Sequence, residues 1–130
     1  MILADTSVWL QYYRTPSTPV GQEFKRVMEQ GEIAVTGPVV AELVQGARSP
    51  EEFSLLKERL ARLPYLETGR EEWLKAGELS RALRRQAITI PLADLMIAIV
   101  AMTNDLPLFA LDKHFQRVPG LRLHTPEQAG

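Results

Sequence analysis

Four acidic side chains stand where the surrounding sequence gives little reason for them: Asp5, Glu42, Asp94 and Asp112. Asp5 closes the apolar run Ile2-Leu3-Ala4, and Asp112 closes Leu108-Phe109-Ala110-Leu111. Glu42 is set in Val39-Val40-Ala41-Glu42-Leu43-Val44, and Asp94 in the most apolar stretch, Pro91 to Ala101. The 16 acids divide into 12 Glu and four Asp, and three of those Asp lie in apolar surroundings. Glutamate suits solvated helices better than aspartate, so the few aspartates carry information by where they sit. Two carboxylates about 4 Å apart repel by about 4 kcal/mol at an effective dielectric near 20. A buried cluster of them persists only where protons or cations neutralise it. Donors that are all oxygen suit Mg²⁺ or Mn²⁺, and the chain has no Cys and only two His for softer ions. A divalent ion held by carboxylates lowers the pKa of bound water and clamps a phosphodiester for in-line attack. Nuclease chemistry is what these residue types would support together.

Each acid also has a plainer reading. Asp5-Thr6-Ser7 is a good helix start. Glu42 suits a solvated helix position. Asp94 falls in the first turn after Pro91, where an acid favours the helix dipole. Asp112 can cap a short turn over Lys113 to Phe115. Asp105, in Thr103-Asn104-Asp105-Leu106-Pro107, reads as a turn residue outside any site.

The elements that must position these acids follow from hydrophobic periodicity and stop signals. Strands are expected at Ile2–Ala4, Ile33–Thr36, Tyr65–Leu66 and Leu108–Leu111, with an edge strand at Leu121–Leu123. Helices are expected over 8–13, 20–30, 39–45, 50–63, 70–86 and 92–103. Ser49-Pro50-Glu51-Glu52 is the clearest start, with a capping Ser, a Pro at the first helical position and a Glu three residues past the cap. On the last helix, Asp94, Ala98 and Ala101 share a face of small residues that admits a close neighbour. Strands alternating with helices predict one α/β domain over residues 1–130, three-layered, its mainly parallel sheet flanked by helices. The tail from about residue 125 is expected to fray. Ligands gather outside the carboxyl ends of the strands in such sheets, so Asp5 and Asp112 share a crevice if their strands are neighbours.

Composition narrows the classes further. Without Cys there is no disulfide scaffold, thiolate metal site or thiol nucleophile. No apolar run reaches the roughly 18 residues of a membrane span. Met1-Ile2-Leu3-Ala4-Asp5 lacks a basic n-region, so a soluble cytoplasmic protein without membrane attachment is expected. Net charge is −1, so no global field calls for a polyanion. Yet 11 of the 15 basic residues are Arg, the side chain suited to bidentate phosphate contact. Phosphate contacts are expected among Arg14, Arg48, Arg81, Arg84, Arg85 and Lys113. The cluster Arg81-Ala82-Leu83-Arg84-Arg85 is the densest, although cations are favoured near a helix C-terminus in any case. Trp9, Tyr12 and Tyr13 read as base-stacking candidates or, more simply, as core or dimer-contact residues.

In order and spacing, Asp5-Thr6-Ser7, Glu42-Leu43-Val44-Gln45-Gly46, Asp94-Leu95-Met96-Ile97-Ala98 and Leu111-Asp112-Lys113-His114-Phe115 resemble the PIN-domain family, and within it the VapC-type toxin ribonucleases. The resemblance covers essentially the whole chain. It implies a PIN-like domain with an acidic quartet of Asp5, Glu42, Asp94 and Asp112, holding one or two Mg²⁺ or Mn²⁺ ions and cutting single-stranded RNA. Asp5, Asp94 and Asp112 would touch metal most directly, Glu42 through water or by orienting the nucleophile. Thr6 and Ser7 would support the site from the first turn. It further implies a homodimer silenced by a cognate antitoxin. The alternatives are an RNA-processing nuclease without an antitoxin and a silent binding module; loss of an acid would mark the latter, and none is lost. The chain departs from the family pattern at Ala110, where Thr or Ser is common, and at His114, where a further acid sometimes stands. His114 reads as a packed or surface residue, with an RNA phosphate contact as the alternative.

Overall fold

A computed structural model describes residues 1–126 of the chain. The expected tail from about residue 125 falls mostly outside that range.

Four strands form one parallel sheet: β1 (Ile2–Ala4), β2 (Ile33–Thr36), β3 (Tyr65–Leu66) and β4 (Leu108–Phe109). Their order is β3-β2-β1-β4. Ile2 pairs with Ile33, Leu3 with both Ala34 and Leu108, and Ala4 with Phe109. Every residue of β1, β2 and β4 is buried. This is why the three central strands read as unbroken apolar runs, not alternating ones.

Parallel pairing requires long crossovers, and each is a helix pair. α1 (Thr6–Arg14) and α2 (Pro19–Glu29) join β1 to β2, α3 (Gly37–Gln45) and α4 (Pro50–Ala61) join β2 to β3, and α5 (Arg70–Arg85) and α6 (Leu92–Thr103) join β3 to β4. The starts are chemically marked. The Gly21 amide donates to Thr18 Oγ1 ahead of α2, the Glu52 amide to Ser49 Oγ ahead of α4, and Glu72 reaches back to the Gly69 amide ahead of α5. Residues 95–101 of α6 are all buried, as a helix apolar on every side must be. The helix packs on both α3 and α5, and Ala98 and Ala101 are fully enclosed. Trp9 and Phe24 meet edge to face at 4.8 Å in the core. Trp9 is thus a packing residue and stacks no base.

Two strand expectations are corrected. β4 stops at Phe109, so Asp112 does not end a strand but caps a 3₁₀ helix over Lys113–Arg117. The chain leaves the sheet because the Leu111 amide donates to a side chain, Ser7 Oγ, and Leu111 itself turns outward. Leu121–Leu123 forms no strand; a single parallel bridge joins Leu108 to Leu123. Arg122 between them is drawn to Asp105, whose left-handed backbone makes the turn that its neighbours suggest.

The topology fixes where a ligand can bind. From β1 the chain steps outward to β2 and β3, and then returns to place β4 on the other side of β1. The order reverses between β1 and β4, and the crevice lies at their carboxyl ends. Asp5 is the first residue past β1, and the loop to Asp112 leaves β4 beside it.

Candidate active site

The β1 end is held tightly. The Asp5 amide donates to the Phe109 carbonyl at 2.8 Å, tying it to β4. Its carboxylate caps α1, receiving the Ser7 amide at 3.4 Å and the Ser7 hydroxyl at 2.7 Å. The same hydroxyl accepts the Leu111 amide at 3.2 Å. Asp5 is therefore both a cap and a cleft residue, and the two readings do not compete. It is the only one of the four acids that is buried, at 6% exposure. The expectation of a wholly buried cluster is corrected accordingly. Asp94 is half-buried, Glu42 is an exposed residue, and the Asp112 side chain is 57% exposed. Asp112 sits outside the apolar environment because the strand on which it was expected ends three residues earlier.

Electrostatics link the acids even so. Burial pushes the Glu42 carboxyl above its usual range, and the charges of Asp5 and Asp94 add to that rise. Burial likewise raises Asp94, with Asp5 and Asp112 contributing, while His114 pulls it back. Asp94 thus lies within the fields of Asp5 and Asp112, and Glu42 within those of Asp5 and Asp94.

Thr6 is buried beside Glu42. Its buried hydroxyl draws Glu42 slightly downward, yet no partner meets it in good hydrogen-bond geometry, leaving an orphaned polar atom beside the acids. His114 is the residue whose role the sequence understated. Its Nε2 lies 3.1 Å from Asp94 Oδ2 and its Nδ1 lies 3.2 Å from Asp112 Oδ1, so the ring stands between the two acids, although the buried Nε2 meets no partner in good hydrogen-bond geometry. The available signal was its place in the first turn capped by Asp112, whose Oδ1 also accepts the His114 amide at 3.0 Å.

A hard divalent cation suits this donor set: four carboxylates, repelling one another, beside an unsatisfied hydroxyl. Among the described residues, no three His, Asp or Glu side chains converge closely enough to enclose an ion as they stand.

The basic residues scatter. Arg14 lies at the far end of α1, about 13 Å along the helix from its start. It rims an apolar groove of about 500 Å³ with Arg48 and Arg59, floored by Leu10, Leu43 and Leu56. Arg81, Arg84 and Arg85 end α5, and Lys113 is exposed next to Asp112.

The PIN domain family model matches residues 2–121. A VapC ribonuclease of Mycobacterium bovis is 29% identical over 119 residues, covering 88% of this chain and 89% of that protein. Ribonuclease VapC21 of Mycobacterium tuberculosis is 30% identical over 112 residues, covering 84% and 81% respectively. The fold is shared with DNA-bound VapBC from Salmonella typhimurium at TM-score 0.77 and 20% identity, covering 95% of this chain and 98% of that one. VapBC-1 from nontypeable Haemophilus influenzae superposes at TM-score 0.78 with 20% identity, covering 95% and 97%. Among the described residues, no helix is long and apolar enough to cross a membrane.

Proposed function

The chain belongs to the PIN-domain family, and on that premise we propose that it is a Mg²⁺- or Mn²⁺-dependent endoribonuclease, the toxin of a VapC-type toxin–antitoxin pair. The observation that carries this reading is Asp5 at the carboxyl end of β1, tied to β4 where the strand order reverses, with its charge acting on Glu42 and Asp94. The names of the relatives favour RNA as substrate, and the toxin–antitoxin complexes among the structural neighbours favour an antitoxin partner.

Asp5, Asp94 and Asp112 are the residues that would hold the ion, with Glu42 as its outer partner. Bound there, a divalent cation supplies an activated water and charge neutralisation at the scissile phosphate. The remaining work belongs to the chain. Ser7 fixes the Asp5 carboxylate and the loop that carries Asp112. Glu42, its carboxyl raised first by partial burial and then by the charges of Asp5 and Asp94, is suited to take a proton from the attacking water. Lys113, beside Asp112, offsets the repulsion between the acidic cleft and a phosphate backbone. The antitoxin is assigned the groove between α1, α3 and α4, because its apolar floor and a rim in which three arginines outnumber the single acid, Glu52, suit a segment with apolar and acidic side chains. A homodimer is expected from the family.

The test is cleavage of a mixed RNA pool by purified protein with Mn²⁺, with EDTA, and with Asp5→Ala beside the wild type. Cutting that needs metal and vanishes in the variant supports the assignment. Equal cutting by both proteins identifies a contaminant, and no cutting by folded wild type with Mn²⁺ present counts against it.

A further inference from the structure

α5 carries a stripe that the cleft does not use. Gly77, Ser80, Arg81 and Arg84 recur at helical spacing, and with Leu92 they line a shallow groove between α5 and the head of α6. Leu92 is two residues ahead of Asp94, so one wall of the groove and one of the acids belong to the same first turn of α6, on different sides of the helix. Arg81, Arg84 and Arg85 are exposed, and their side chains make no ion pair or hydrogen bond with any described residue. Gly77 is the odd member. It lies inside a 16-residue helix, where glycine is unfavourable relative to alanine. A Cβ added there meets nothing within 4 Å, so packing does not demand it. Its effect is to leave bare backbone as the floor of the groove, level with the guanidinium groups one and two turns along.

We propose that Gly77, Arg81 and Arg84, with Leu92 as the far wall, form the track that holds the sugar–phosphate backbone of the RNA strand entering the cleft. This rests on the ribonuclease reading above. The charge pattern favours a polyanion over a second copy of the chain. None of the residues lining the groove is acidic, so its two exposed arginines face any occupant with positive charge alone. A backbone phosphate meets two guanidinium forks on the way to a site that itself repels it. Glycine beneath them lets the ribose lie close to the helix.

The test is fluorescence anisotropy with a labelled random-sequence single-stranded RNA of about 20 nucleotides, in an Asp94→Asn background that prevents cutting. Arg81→Ala with Arg84→Ala is expected to weaken binding about tenfold and to lower the slope of log Kd against log salt by about 1.4, two phosphate contacts' worth. Gly77→Leu keeps both arginines and favours the helix, so it is expected to lower affinity without lowering the melting temperature. Arg62→Ala, on α4 and paired with Glu58, is the control expected to change nothing. If wild type cleaves RNA while the double variant and Gly77→Leu bind as the parent does, the track is wrong and the ribonuclease reading stands. If either stripe variant changes the molecular mass by sedimentation, the stripe is a contact between copies and the track is overturned. If wild type neither cuts nor binds RNA, the ribonuclease reading falls and takes the track with it.

Discussion

The hydroxyl of Ser7 accepts the Leu111 amide at 3.2 Å, across 104 positions of sequence, while donating to Asp5 Oδ2 at 2.7 Å. One oxygen thus joins the end of β1 to the loop that leaves β4 for Asp112. Ala110 has no hydroxyl of its own to anchor that loop. Ser7→Ala removes both bonds and leaves the Leu111 amide without a protein partner. The expected cost is about 1–3 kcal/mol of stability. Cleavage is expected to fall about tenfold or more, since small displacements of catalytic groups are expensive. Thermal melts and initial rates read the two effects separately. A variant as active as wild type would mean that the Asp112 loop is positioned by other contacts.

The raised carboxyls of Glu42 and Asp94 have a consequence for metal. The acids repel one another and are partly desolvated, so the metal-free protein carries an electrostatic cost that a bound cation relieves. At a metal concentration about 100 times its Kd, linkage gives about 2.7 kcal/mol, near 10 °C in melting temperature for a chain of this size. Asp94→Asn removes one repelling charge. Its metal-free melting temperature is expected to equal or exceed that of wild type, while most of the Mn²⁺-induced rise disappears. Unfolding of the variant would instead make Asp94 a structural residue.

His114 competes for the same oxygens. Its ring stands between Asp94 and Asp112 at 3.1 and 3.2 Å, where its protonated form lowers the cost of keeping those acids together. His114→Ala is expected to lower metal-free stability by about 0.5–1 kcal/mol, because both contacts are partly exposed. It is also expected to enlarge the Mn²⁺-induced rise in melting temperature. A smaller rise than wild type would make the imidazole a ligand in its own right.

Much of this arrangement was legible in the residues. β1 and β2 are apolar runs buried throughout, and Ser49-Pro50-Glu51-Glu52 names its own helix start because a cap and a φ-locked proline act locally. Asp105 at a turn and Trp9 in the core followed from equally local reasoning. What failed was decided at long range. Leu108 to Leu111 is apolar enough for a four-residue strand, yet it leaves the sheet where a serine from the other end of the chain captures its amide. Leu121 to Leu123 meets β4 at one residue only, Leu108, whose amide donates to the Arg122 carbonyl and whose carbonyl accepts the His124 amide. The strand order was equally out of reach. An apolar strand pairs with any other, and only the packing of three helix pairs places β4 beside β1. The position of His114 between two acids depends on that placement.

A second buried charge lies away from the cleft and gives a pH dependence of definite sign. Glu23 on α2 has a side chain only 5% exposed, and Arg26 holds it in two contacts of 2.7 and 3.0 Å. His124 Nε2 approaches the same carboxylate at 2.6 Å, and its ring packs edge-on against Phe109 at 5.0 Å. The Arg26 hydrogen bonds are the main reason that the Glu23 carboxyl is held below its usual range, outweighing the upward push of burial, with His124 assisting. A carboxyl lowered on folding contributes stability that is complete above its unfolded value, about 4.3, and is lost as pH falls through the lower folded value. Glu42 and Asp94 work in the opposite direction, so the total stability curve mixes the two signs. The difference between wild type and Glu23→Gln isolates the first. The variant keeps the volume and some hydrogen bonding but loses the charge, and is expected to be about 1–3 kcal/mol less stable near pH 7. That gap is expected to hold down to about pH 5 and to close below about pH 4 as the wild-type carboxyl takes up its proton. Urea unfolding at matched pH values reads it directly. A gap that stayed constant to the lowest pH would mean that the variant loses packing and not charge.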